Sequence, residues 1–231
     1  MFPQKILLTL PLLAAALAFA QQPQVKVNVL NVCSPSAEDQ KALSAALAQL
    51  PAKPAFATDY EISRGRSTLD PNMPVPGMAP LPPGAKSTAK WVRIRHDFAD
   101  SSPYSNVQYS FSVDEANMVE TLVMRVRDPK DIMQVSIEDS AAAVTTATAM
   151  LTSNTPVSRI KLERFGKSSV VLARCSASEG KAAPDQSAYE PVFKSASTVM
   201  NRYRDILGAR RMVPQELARL GAAKPAAPAK K

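Results

Sequence analysis

The chain has 231 residues, 45% apolar and 21% charged, with a formal net charge of +8 at pH 7, one histidine and two cysteines. That apolar content supports a sizeable core and excludes a charge-driven disordered chain. No H-E-x-x-H, G-x-S-x-G, Cys/His cluster, Asp-rich calcium loop or phosphate-cradling glycine loop occurs, so the common signatures of zinc, serine-hydrolase, calcium and nucleotide chemistry are missing and no cofactor is expected.

Residues 1–20 carry Lys5, an apolar run from Ile6 to Leu17, and a small-x-small site at Ala18-Phe19-Ala20. This pattern reads as a signal peptide cleaved after Ala20, and its apolar run is too short to span a bilayer. The mature chain is therefore expected to be exported, periplasmic or secreted, with no transmembrane segment. Export gives meaning to Cys33 and Cys175, an isolated pair expected to form a disulfide closing a loop of about 140 residues. Lys5 leaves with the signal, and Lys224, Lys230 and Lys231 belong to an Ala/Pro/Lys tail over 222–231, read as disordered. About +4 then remains on residues 21–221, a mild excess from which no nucleic-acid partner is expected.

In chain order, Val25, Val27 and Val29 alternate with polar residues and predict a strand. Ser36 with Asp39 forms a capping-box variant ahead of an apolar stripe, Ala42, Leu43, Ala46, Leu47 and Leu50, so a helix is expected to end at Pro51. Phe56, Thr58, Tyr60 and Ile62 share one face of a second predicted strand. Residues 65–86, with six prolines and three glycines, read as an irregular, extended insertion. It is expected to cover a sheet edge through Val75, Met78 and Leu81; the rival role is docking a partner.

Three alternating runs follow: Val92, Ile94, His96 and Phe98; Val107, Tyr109, Phe111 and Val113; Leu122, Met124 and Val126. The short link Asp114–Asn117 makes the last two a hairpin. A strand is expected over Asp131–Glu138, then a helix with spacing at Val144, Ala147 and Leu151. A strand, Gly-Lys turn and strand run up to Cys175, and a long helix begins at Ser187, its stripe including Val192, Phe193, Ala196, Val199, Met200 and Tyr203. Gly208 lies at its end, and a short helix spans Pro214–Leu220. The order is that of one α+β domain: a mainly antiparallel sheet of about seven to eight strands with two or three helices on one face. The disulfide would place the first and last strands together near the sheet centre.

Little catalytic chemistry stands out. His96 shares the parity of core residues and reads as a half-buried packing histidine. Met73 and Met78 are too few to argue for copper. The acid pairs Asp114-Glu115, Glu138-Asp139 and Asp97 with Asp100 could serve a carboxylate hydrolase, yet they fall at strand ends, where Asp139 is expected to cap the following helix. The other pattern is basic. Trp91, Arg93 and Arg95 share one strand face, Arg125 and Arg127 another, and neighbouring strands would merge them into a strip for an anionic polymer with Trp91 as platform. Pairing of these arginines with Asp97 or Glu120 on a plain wet face is the competing expectation. Lys194, Arg202, Arg204, Arg210 and Arg211 read as the exposed side of the last helix. The leading expectation is an exported, non-catalytic binding or structural domain, its partner an envelope protein or anionic polymer. A small hydrolase using paired carboxylates is the alternative.

Overall fold

A computed structural model describes residues 36–57, 59–69, 87–115, 117–128, 133–142, 145–153, 157–164, 170–174 and 185–222. The predicted strand at 25–33, both cysteines, Val75, Met78, Leu81 and the tail beyond 222 lie outside these residues.

The described elements are α1 (Ala37–Gln49), β1 (Glu61–Leu69), β2 (Ser87–Asp97), β3 (Tyr104–Val113), β4 (Asn117–Val126), β5 (Met133–Ala142), α2 (Ala147–Thr152), β6 (Arg159–Arg164), β7 (Val170–Ala173), α3 (Glu190–Ile206) and α4 (Ala209–Ala222). The strands form one seven-stranded antiparallel sheet in sequence order. Tight links join β2 to β3 and β3 to β4, while residues 70–86 separate β1 from β2 and α2 lies between β5 and β6; throughout, each strand pairs with the one just made. The α+β expectation holds, with four described helices rather than two or three. Among the described strands β7 is terminal and pairs only with β6; its expected neighbour, the predicted strand at 25–33, lies outside the described residues.

Alternation decides what each face contacts. Val92 and Ile94 of β2, Val107, Tyr109 and Phe111 of β3, Leu122 and Met124 of β4, Val135 and Ile137 of β5, and Ile160 and Leu162 of β6 all point to one side. They join Leu43 and Leu47 of α1, Met150 and Leu151 of α2, Val192, Phe193 and Met200 of α3, and Val213 of α4 in a single core. The α1 start is the expected capping box: Ser36 Oγ accepts from Asp39 N–H, and Ser36 N–H donates to Asp39 Oδ2, each at 3.1 Å. The Tyr203 hydroxyl of α3 donates to the Pro51 carbonyl at 2.9 Å, tying α3 to the segment after α1. His96 is 9% exposed, and its ring stacks on Phe56 at 4.2 Å, which makes it a packing group.

Four boundaries differ from expectation. Strand β1 begins at Glu61 and continues through Gly65 to Leu69, pairing Ser67 with Ala89 and Leu69 with Ser87. Residues 65–69 therefore belong to the sheet, and the Pro-rich insertion starts after them. Phe56 makes only an isolated bridge to Phe98, so the run 56–62 is not one strand. Strand β5 extends to Ala142, and α2 is a short helix capped by the Thr146 side chain, not by Asp139. Helix α4 starts at Ala209 and keeps Pro214 inside it. Gly208, at φ 63°, makes the turn out of α3 that a side-chain-bearing residue would resist. Starting the helix there buries Ala209, Met212 and Val213, outweighing the missing proline N–H.

Candidate functional site

The face opposite the helices carries most of the polar residues of β2, β3, β5 and β6, together with Val119, Thr121, Val123 and Arg125 of β4. Register places Trp91 between Gly65 and Ser112, Arg93 between Ser63 and Ser110, and Arg95 between Glu61 and Gln108. On the far side of β3, Arg125 pairs with Asn106 and Gln134. Strands β2 and β4 are thus not neighbours, as a merged strip required. They flank β3 on the same face, with axes about 10 Å apart.

Trp91 has a defined seat. A Cβ built on Gly65 would lie 2.7 Å from Trp91 Cζ2 and 2.9 Å from Cε2, so the indole rests on the glycine backbone of the edge strand. The Arg93 guanidinium lies 5.4 Å from the Trp91 ring centroid, a cation–π contact worth about 0.5–1 kcal/mol at an exposed site.

The arginines differ in how far they are committed. Arg95 donates to Asp97 Oδ1 through Nε at 3.1 Å and Nη2 at 2.9 Å, the pairing that a plain wet face predicts. Arg127 follows β4 and clamps the β2–β3 turn, donating to Asp100 Oδ1 and the Phe98 carbonyl, each at 3.0 Å. Arg125 reaches only the neutral Gln134 side chain at 3.3 Å. Arg93 and Arg125 have no acidic partner among the described residues. Farther across the sheet, Glu138 with Arg159 and Glu163 with Lys161 balance one another, so among the described residues the basic excess of this face lies at the β2–β4 end.

The inner face holds a charged cluster. Glu120 of β4 is paired with Asp139 of β5 in register, and both residues are 0% exposed. Arg204 of α3 enters between them: Nε lies 2.7 Å from Glu120 Oε2, and Nη2 lies 2.8 Å from Asp139 Oδ2. Its Nη1 donates to Asn201 Oδ1 at 2.8 Å and to the Ser153 carbonyl at 3.3 Å. Arg204 is therefore not on an exposed helix side, and Glu120 pairs with it rather than with the outer-face arginines. Arg204 does not reach Glu120 Oε1 or Asp139 Oδ1; the Tyr109 hydroxyl lies beside Glu120 and acts on it as a donor, and the Ser140 backbone N–H acts on Asp139.

Burial pushes the Glu120 carboxyl up to about 7; Arg204 opposes that shift and Asp139 adds to it. Asp139 is also raised, chiefly by burial against the opposing pull of Arg204. The Tyr109 hydroxyl is raised well above its ordinary value by burial and then by the Glu120 charge.

This cluster was missed because the Glu138-Asp139 doublet and the last helix were read by local sequence. The signal was parity: Glu120 falls in step with Leu122 and Met124, and Asp139 with Val135 and Ile137. Arg204 lies four residues beyond Met200, on the apolar stripe of α3. An acid in the apolar phase of each of two strands, with an arginine in the apolar phase of a helix, marks a buried ion cluster.

The acid pairs do not converge on a substrate. Successive strand residues point to opposite faces, so Glu138 lies on the outer face and Asp139 on the inner. Asp114 accepts from Asn117 N–H at 2.7 Å in the β3–β4 turn, and Asp97 and Asp100 serve Arg95 and Arg127. A cavity of about 170 Å³ at the rim, beside Tyr104 and Arg164, has Asp128 as its one acid among the described lining residues. Comparison with protein-family models, with curated proteins and with solved structures gives no match to this chain.

Proposed function

We propose that this chain is an exported, non-catalytic binding domain whose outer sheet face, at the β2–β4 end, receives an anionic polysaccharide of the cell envelope. The observation that carries this reading is the pair Arg93 and Arg125, two exposed cations on the face opposite the described helices, without an acidic partner among the described residues, beside the Trp91 platform. A guanidinium supplies planar, bidentate donors for carboxylate or sulfate groups. The hydroxyl and amide rows between the two arginines, Ser110, Ser112, Thr121 and Gln108, suit sugar hydroxyls. The pairs Arg95–Asp97 and Arg127–Asp100 are solvent-exposed. Such pairs are worth about 0–1 kcal/mol, so a polyanion could recruit those arginines too.

The test is calorimetric titration of the mature protein with polygalacturonate at about 20 mM and 200 mM NaCl, with neutral dextran as control. Binding of polygalacturonate but not dextran, weakened by salt and abolished by R93E/R125E at unchanged melting temperature, is the expected result. No binding at low salt, or equal binding by the double variant, refutes the reading.

A further inference from the structure

We propose that Glu120, Asp139 and Arg204 form a proton-gated latch: one proton held on the two carboxylates fixes α3 to β4 and β5, and its loss loosens α3 from the sheet. The charge count requires such a proton. Two carboxylates meet one guanidinium in a site where Arg204 is 1% exposed and both acid side chains are 1% exposed or less. Fully ionised, the cluster would bury one uncompensated negative charge under a helix, the arrangement that a protein interior tolerates least.

The hydrogen-bond count points the same way. Arg204 spends all three nitrogens on Glu120, Asp139, Asn201 and the Ser153 carbonyl. Arg204 reaches only Glu120 Oε2 and Asp139 Oδ2, and the other groups that act on the two carboxylates, the Tyr109 hydroxyl and the Ser140 backbone N–H, are neutral. A proton on Glu120 removes the excess charge, which neutral donors cannot balance.

The groups acting on Glu120 come from every neighbouring element. They are Tyr109 from β3, Asp139 from β5 and Arg204 from α3, while the end of α2 offers only the neutral Ser153 carbonyl. Tyr109 stays protonated across the physiological range, its own hydroxyl being pushed upward, so it supplies no compensating charge. Among the described residues, the ion pairs of Arg204 with Glu120 and Asp139 are the ones that join α3 to the centre of the sheet. A change of charge there therefore acts directly on how α3 is held.

The sign follows from linkage. Glu120 is raised in the folded chain from 4.5 to about 7, so the folded state keeps a proton that the unfolded state has lost. Its contribution to stability is complete below about pH 4.5 and declines as pH rises to about 7. Across that window the folding equilibrium constant should fall on the order of 10²-fold relative to a chain in which residue 120 cannot ionise.

The experiment compares wild type with Glu120→Gln, an uncharged shape-mimic of the protonated acid, by urea denaturation at intervals from pH 4.5 to 8.5. Hydrogen exchange of the α3 amides, corrected for the intrinsic pH dependence of exchange, follows the same series. Wild type should match E120Q near pH 5 and fall below it by pH 8, with protection around Asn201–Arg204 declining only in wild type. Parallel stability profiles, or a wild type that gains on E120Q as pH rises, would overturn the latch. Should E120Q fail to fold, the carboxyl ¹³C titration of Glu120 in wild type decides. A midpoint near neutrality supports the proposal, and one below pH 5 refutes it.

Discussion

Gly65→Ala is the smallest change that tests how Trp91 is seated. The new Cβ would stand 2.7 Å from Cζ2 and 2.9 Å from Cε2 of the indole, against an optimum of about 3.5–4.0 Å between carbon atoms. The ring must lift by about 1 Å or swing toward solvent. Overpacking of this kind costs roughly 1–3 kcal/mol, and the half-buried ring, able to swing toward solvent, puts the cost at the lower end. Replacing a strand glycine with alanine returns roughly 0.5–1 kcal/mol by lowering the entropy lost on folding. The net expectation is a destabilisation of about 0.5–1 kcal/mol.

A double-mutant cycle separates the two contributions. With Trp91→Ala in place the collision is gone, and Gly65→Ala should stabilise by about 0.5–1 kcal/mol. The substitution thus changes sign between backgrounds, with a coupling energy of about 1–2 kcal/mol. Urea denaturation followed by far-ultraviolet circular dichroism gives all four corners. Trp91 is the chain's one tryptophan, so fluorescence would be lost in half of the cycle but gives an independent readout in G65A itself, where emission should shift to the red. If Gly65→Ala has the same effect in both backgrounds, within about 0.5 kcal/mol, the indole does not rest on Gly65 and the platform argument fails.

Arg204→Met keeps much of the side-chain volume but leaves Glu120 and Asp139 facing each other without a cation. Its urea midpoint at pH 8 should report a loss of about 3–5 kcal/mol, a loss that shrinks toward pH 5 as the carboxylates are neutralised. For Cys33 and Cys175, intact mass of the mature chain without reductant should lie two hydrogen masses below that of the reduced chain; two free thiols would dismiss the bond.

Much of the fold was legible because it rests on repeating patterns. Strands β2 and β3 alternate clearly between apolar and polar positions, β4 keeps Leu122, Met124 and Val126 in one phase, and the Asp114–Asn117 link is too short for anything but a hairpin. The start of α1 was legible for a different reason: the Ser36–Asp39 exchange is local and needs no tertiary partner. What misled was punctuation. Gly65 read as the start of the irregular insertion, yet it continues β1, where the Trp91 ring from the next strand rests against its missing side chain. Pro214 read as the first residue of a helix, yet it lies inside α4, where burial of Met212 and Val213 decides the start.

The two charged regions were legible to different degrees, and the cause is where their partners lie in the chain. Arg93 touches Trp91 two residues away, and Arg95 touches Asp97 two residues away. Alternation alone therefore grouped the outer-face residues, and only the intervening strand β3 was missing from the picture. The inner cluster joins residues 84 and 65 positions apart, Glu120 and Asp139 to Arg204, so no local pattern could reveal the bond. What sequence does hold is the cost: Glu120, Asp139 and Arg204 each occupy a position where alternation or helical spacing demands an apolar side chain. One such violation reads as a sequence irregularity. Three, with charges that nearly cancel, define a buried ion cluster before any coordinate is known. Their remaining excess of one negative charge is what makes that cluster sensitive to pH.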